Sequence, residues 1–214
     1  MKVIKIGLIG WGTVGTGVIK ILEKNSDLIA DRLGARLELG KIADLDLERA
    51  RGIRVDPALL TGDSGQIINN PEIDIVVELT GSVPEAEKYI ISSLKNGKEV
   101  VTANKALLAR NGRKIMEEAA RAGKGIFFEA SVGGGIPIIR ALREGFAANR
   151  VESILGIING TSNYVLCRME ESGKSLDEAV REAQEKGYAE ADPSLDLQGG
   201  DSAHKLVILA SLAF

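Results

Sequence analysis

Lys2–Gly15 reads KVIKIGLIGWGTVG, and this stretch decides the fold. Residues 2–9 are an apolar, β-branched run that predicts a strand, and glycines follow at Gly10, Gly12 and Gly15. Next, TGVIKILEK predicts a helix with Val14, Val18, Ile21 and Leu22 on one face. Strand, glycine turn and helix is the context in which a G-x-G-x-x-G pattern holds a dinucleotide. Gly10 permits the tight turn, Gly12 lets backbone approach a pyrophosphate, and Gly15 lets the helix pack against the strand. The helix start adds free N–H groups and the positive end of a dipole. Trp11, Thr13 and Val14 complete the cofactor-facing loop.

Working outward, Arg36–Asp44 predicts a second strand that ends in an acid. An acid there can bind an adenosine ribose and disfavour a 2′-phosphate. The gap from the glycines is longer than usual, so a plain turn residue stays an alternative for Asp44. Ile73–Leu79 (IDIVVEL) is a near-continuous apolar strand of the kind parallel sheets require. A loop and helix, the strand EVVT, a helix opening at ANKALLARNG and the strand KGIFFEAS follow in turn. This alternation predicts an α/β, Rossmann-type, doubly wound parallel sheet over residues 1–130. Thr80, Gly81, Thr102, Asn104 and Lys105 are assigned to the cofactor crevice, where strands of that sheet end.

From residue 131 the texture changes. SVGGGIPIIRAL gives a glycine turn and a helix with Pro137 in its first turn, and VESILGIINGTSNY predicts a strand (Val151–Ile158) entering a polar turn. That strand, apolar enough to need cover on both faces, is expected to pair two subunits. Ser175 and Glu178 form a capping box that starts a helix running to about Lys186. Residues 131–214 are thus read as an α+β substrate domain. Within it, Gly187–Lys205 (GYAEADPSLDLQGGDSAHK) concentrates acids on a loop ahead of a lysine. Such a cluster suits a small zwitterion, although Asp201 alone could be a helix cap. HKLVILASLAF, apolar all round, is expected to be buried. It ends without a cap, which reads as a domain cut short, so the substrate domain is taken as incomplete.

Composition narrows the function classes. A net charge of −3 argues against nucleic acid or an anionic membrane as partner. The single cysteine, Cys167, suits a reducing cytosol and packs rather than reacts, so a cytoplasmic protein is expected. Met1 leads straight into a strand with no leader, and no apolar run is long enough to span a bilayer. The lone His204 lacks a second imidazole for a typical zinc site and is expected to be exposed.

Taken in order, GLIGWGTVGTGV, VVTANKALLA, FEASVGGGIPII, GIINGTSNYVL and GYAEADPSLDLQGGDSAHK resemble the homoserine dehydrogenases, through nearly the whole chain. The resemblance implies reduction of L-aspartate 4-semialdehyde to L-homoserine with NADPH or NADH, toward threonine, methionine and isoleucine. It implies that Lys205 donates the proton to the aldehyde oxygen, with Asp201 one turn earlier as its partner. Lys105 matches a lysine near nicotinamide and substrate. Glu190 and Asp196 match substrate-binding acids, and Gly160, Thr161 and Tyr188 match polar substrate contacts. Leu195 stands where the family often has a second acid. Glu129, Val132, Gly134 and Ile136 match a monovalent-cation (Na⁺) site. A small amino-acid substrate and a homodimer are the expected partners. A nucleotide-binding protein without turnover, or another amino-acid dehydrogenase on this fold, would share the first half of the pattern.

Overall fold

The computed structural model describes residues 1–214, in two units, Met1–Ser131 and Val132–Phe214. In the first, β1 (Lys2–Ile9), β2 (Ala35–Ala43), β3 (Leu60–Thr61), β4 (Ile75–Glu78), β5 (Glu99–Thr102) and β6 (Ile126–Phe127) form one sheet. The strands pair in parallel in the order β3-β2-β1-β4-β5-β6. The order reverses between β1 and β4, the point at which such sheets bind ligands. α1 (Thr13–Lys24), α2 (Ser26–Leu33), α3 (Gly65–Ile68), α4 (Val83–Lys95) and α5 (Lys105–Ala122) connect them.

Side chains alternate along a strand, so a doubly wound sheet needs apolar residues at successive positions. Ile6 and Leu8 of β1, Ile42 of β2 and Val77 of β4 cluster with Ile19 of α1. Their neighbours Ile9, Ala43 and Val76 cluster instead with Ile67, Ile68 and Ile73. Each fully buried Leu or Ile contributes about 2 kcal/mol over leaving it exposed.

The helix after the glycines forms as expected, but rotated. Val14 and Ile21 are 57% and 56% exposed, whereas Gly15, Thr16 and Ile19 are buried. The buried stripe is therefore one position on from the predicted face. Gly15 sets it: a Cβ there would stand 2.3 Å from the Gly10 carbonyl oxygen, so this side of the helix must lie against the turn. α2 and the short β3 were not anticipated, because neither has a long periodic pattern. Of KGIFFEAS only Ile126–Phe127 pair as strand, and Glu129–Ser131 coil into a 3₁₀ turn.

The second unit is helical. α6 (Ile138–Arg140) runs on into a π-turn over Ala141–Gly145, and α7 (Gly160–Ser172), α8 (Leu176–Glu185), α9 (Ser194–Leu197) and α10 (Gly200–Ala213) follow. Residues 151–158, expected as a strand, form no ladder, because this chain has no second sheet to pair with them. Leu155 and Ile157 are accordingly 93% and 78% exposed. The expectation that the last helix is buried all round also fails. Ile208 and Leu209 of α10 are buried, whereas Leu206, Val207 and Phe214 are exposed. His204 is half-buried rather than exposed, with a buried Nδ1 that has no hydrogen-bond partner. Cys167 is half-buried on α7.

The predicted capping box is present, with both the Ser175 and the Glu178 bonds formed. Behind it, Glu182 of α8 ties this unit's helices together. Its carboxylate accepts from Lys174 at 2.5 Å, Lys186 at 2.8 Å, Tyr164 at 2.8 Å and Arg168 at 3.1 Å. These donors, Lys174 first, hold its carboxyl well below the usual carboxylate range. A depressed folded-state pKa contributes stability that is present above the unfolded value, near 4.3, and is lost as pH falls toward the folded one. Glu182→Gln should therefore weaken hydrogen-exchange protection of α7 and α8 at pH 7. The gap from wild type should narrow steadily below about pH 4. A gap independent of pH would show that the charge contributes nothing.

Candidate functional site

Two clusters carry the predicted residues, one in each unit. In the first unit, Gly10 has φ +100°, and a Cβ on it would meet the Leu79 carbonyl carbon at 2.6 Å and its oxygen at 2.7 Å. Gly12 differs from both other glycines: a Cβ there would meet nothing within 4 Å. It is the N-cap of α1, and no side chain bonds to that helix end. The space and the uncapped N–H groups are what a pyrophosphate needs. Beside them lies a cavity of about 500 Å³ lined by Gly10, Gly12, Asp44, Thr80 and Ser82, among others.

Asp44 follows β2 directly, at the position expected to hold either a ribose acid or a plain turn residue. It accepts from the backbone N–H of Trp11 at 2.5 Å and of Asp46 at 2.9 Å. Arg51 lies over the Trp11 ring at 4.2 Å, donates to the Trp11 carbonyl oxygen, and pairs with Asp44 at 3.3 Å. Arg51 thereby clips the loop after β2 onto the glycine turn, a role the sequence did not reveal. Thr13 and Val14 open α1 and are exposed.

On the other side of the switch point, Thr80 and Gly81 follow β4, and Gly81 has φ +76°. Thr102, the last residue of β5, is 1% exposed. Its hydroxyl donates to Glu78 at 2.7 Å and accepts from Asn104 N–H at 3.0 Å, so both of its bonds stay inside the protein. Asn104 caps α5 through Leu107 N–H at 3.0 Å, which makes Lys105 the first residue of that helix. Glu129 opens the 3₁₀ turn that ends this unit. Glu78, fully buried, escaped the sequence reading because it sits inside an apolar strand.

In the second unit, the Lys205 ammonium bonds the Asp201 carboxylate at 2.6 Å and the Ile158 carbonyl at 2.6 Å. Its side chain is 18% exposed, and that of Asp201 is 6% exposed. An ammonium has three donors, so one remains for a substrate oxygen. Asn159 is the residue that organises this cluster. Its amide donates to Asp196 at 2.8 Å and to Asp201 at 2.9 Å, while its oxygen caps α7 through Ser162 N–H at 2.7 Å. The sequence signal for it was an N-cap, Asn followed by GTS. An amide bridging two carboxylates lets them lie close without a second cation. Gly160 begins α7, Thr161 donates to the Tyr188 carbonyl at 2.8 Å, and the Tyr188 ring packs on Tyr164 at 4.9 Å. Tyr188 and Glu190 are exposed. Val132 is buried, Gly134 has φ +59°, and Ile136 is 65% exposed. No three His, Cys, Asp or Glu side chains gather to hold a metal ion.

Known proteins match this arrangement along its whole length. Residues 10–129 match the family described as homoserine dehydrogenase, NAD binding domain, and residues 137–214 match the family described as homoserine dehydrogenase. The homoserine dehydrogenase of Pseudomonas aeruginosa is 47% identical over 216 residues, covering 100% of this chain and 49% of that protein. That of Bacillus subtilis is 42% identical over 214 residues, with 100% and 49% covered. Among solved structures, a homoserine dehydrogenase from Thiobacillus denitrificans superposes with a TM-score of 0.95 at 46% identity, covering 100% of this chain and 49% of that one. A hyperthermophilic archaeal homoserine dehydrogenase in complex with NADPH gives 0.84 at 28% identity, covering 99% and 70%. The chain spans about half the length of the curated relatives it matches.

The three glycines should respond differently to substitution. Gly12→Val has room, so thermal unfolding should barely change while dinucleotide affinity, read by calorimetry, falls at least about tenfold. Gly10→Ala should instead lower stability by about 1–2 kcal/mol or more, from its positive φ and the backbone clash. If Gly12→Val bound cofactor like wild type, the pyrophosphate would have to lie elsewhere.

Proposed function

The chain belongs to the homoserine dehydrogenase family, and on that premise we propose that it interconverts L-aspartate 4-semialdehyde and L-homoserine by hydride transfer, with NADP(H) or NAD(H) as cofactor. The observation that carries this reading is the Lys205 ammonium, held by Asp201 and the Ile158 carbonyl with one donor to spare.

The nicotinamide cofactor supplies the hydride, and Gly10–Gly15, Asp44 and the Thr80 and Asn104 loops would hold it. The chain's own residues do the rest. As the aldehyde carbon is reduced, its oxygen becomes an alkoxide, and Lys205 stabilises and protonates it. In the reverse direction Lys205 takes the hydroxyl proton. Asp201, beside it, keeps the ammonium oriented and balances its charge. Asp196 and Glu190 provide carboxylates for the substrate's own ammonium group, with Thr161 and Tyr188 as polar contacts. Lys105 supplies a second ammonium, at the head of α5. A monovalent cation such as Na⁺ is assigned to the glycine turn around Gly134, where Gly133 and Gly134 have positive φ.

The proposal includes a cytoplasmic setting, a place in threonine, methionine and isoleucine synthesis, and a homodimer. The exposed, unpaired 151–158 segment supports the dimer, because a second copy could complete a ladder there.

Lys205→Ala should cut kcat for homoserine oxidation by about a hundredfold or more, the usual scale for general acid–base catalysis. Dissociation constants for the cofactor should stay near wild type. Asp201→Asn keeps size and loses charge, and should lower substrate affinity, kcat or both. Near-normal turnover by Lys205→Ala would end the mechanism. Cofactor binding by the wild type with no turnover of homoserine would favour a nucleotide-binding role alone. For the assembly, light scattering at micromolar concentration should give twice the chain mass, and a monomer mass would refute the pairing.

A further inference from the structure

Glu78 ends β4 at the carboxyl edge of the sheet and is 0% exposed. Its Oε1 accepts from the N–H and the hydroxyl of Thr80, each at 2.7 Å, and its Oε2 accepts from the Thr102 hydroxyl at 2.7 Å. All of these donors are neutral, so the carboxylate's charge is solvated by dipoles and not cancelled by a cation. From Thr102 the bonds continue to Asn104, whose amide reaches the Ser82 carbonyl at 3.2 Å. One buried acid therefore joins the ends of β4 and β5 and both loops that follow them.

Tying two strands together does not require a charge. A buried charge is costly, and a neutral side chain could make similar bonds. The charge has a use if the ligand above it is cationic in one of its states. The oxidised nicotinamide ring carries a positive charge and the reduced ring carries none. In a sheet of this order the nucleotide spans the switch point, one half on each side. The glycine turn and Asp44 assign the adenosine half to β1 and β2, which leaves the nicotinamide half to β4 and β5. Thr80, on the cavity wall, has its hydroxyl proton committed to Glu78, so its oxygen faces a ligand only as an acceptor.

We propose that Glu78 is a positioning residue that holds a fixed negative charge beneath the nicotinamide half of the crevice, presents Thr80 as an acceptor, and favours the oxidised cofactor over the reduced one. This inference rests on the nicotinamide-dependent reading above. As hydride and its electron pair leave the reduced ring, the ring gains positive charge. A fixed carboxylate nearby stabilises that charge as it develops, without reorganisation.

The test is the ratio of dissociation constants for oxidised and reduced cofactor, by calorimetry with NADP⁺ and NADPH, or with NAD⁺ and NADH. Glu78→Gln keeps size and removes charge, and should weaken the oxidised form relative to the reduced by about tenfold, as for one charge acting across several ångströms of protein. Thr102→Val removes one donor and keeps the charge, so it should leave the ratio within about twofold of wild type. Glu78→Asp also keeps the charge, should preserve the ratio too, and serves if the glutamine variant does not fold. An equal loss of both forms in Glu78→Gln, or a shifted ratio in Thr102→Val or Glu78→Asp, overturns the inference while leaving the dehydrogenase reading intact. Wild type that binds neither form overturns both.

Discussion

The approach of two backbone segments at the first turn governs much of the first unit. The Gly10 carbonyl oxygen lies where a Cβ of residue 15 would be, and the Leu79 peptide crowds the place where a Cβ of residue 10 would be. Two missing side chains thus let β1, α1 and the end of β4 converge. That convergence sets the rotation of α1, buries Ile19, and leaves open space at Gly12, the N-cap of the helix. The glycines lower the cost of close packing, and the packed turn leaves that space uncovered.

The polar groups show a second theme. In each unit a nearly or fully buried carboxylate is held by protein groups and not by the solvent. Glu78 is satisfied by two threonines, and Asp201 by Asn159 and Lys205. Buried polar groups without partners are expensive, and partly satisfied networks are worse than apolar packing. Once satisfied, the same groups have little freedom. Lys205 is an example: two of its three donors are committed to the protein, so its ammonium is held in place. Preorganised charge of this kind costs no reorganisation when a reaction builds an opposite charge.

Much of this was legible in the sequence. Burial on both faces demands near-continuous apolar strands, and the runs at residues 2–9 and 73–79 show them. The glycine spacing and the capping box at Ser175 are local devices, each complete within a few residues, so each could be read along the chain. The acids and the lysine of 187–205 were legible as a cluster through the family's motif and their spacing. What the chain alone did not disclose is non-local. The face of α1 that turns inward depends on Gly10, itself seated against the Leu79 peptide at the end of another strand, and apolar periodicity pointed one position away. Glu78 looked like an interruption in an apolar strand until Thr102, on another strand, was brought beside it. Asn159 read only as part of a polar turn until Asp196 and Asp201 came within reach of its amide. Residues 151–158 have the composition of a strand, yet a strand exists only with a partner, and this chain provides none. Composition and short-range pattern thus showed the longer strands and most helices of the sheet unit, but missed α2 and β3 and placed a strand at 151–158 that does not form. Tertiary structure decided which faces and which polar groups meet, because those contacts join residues tens of positions apart.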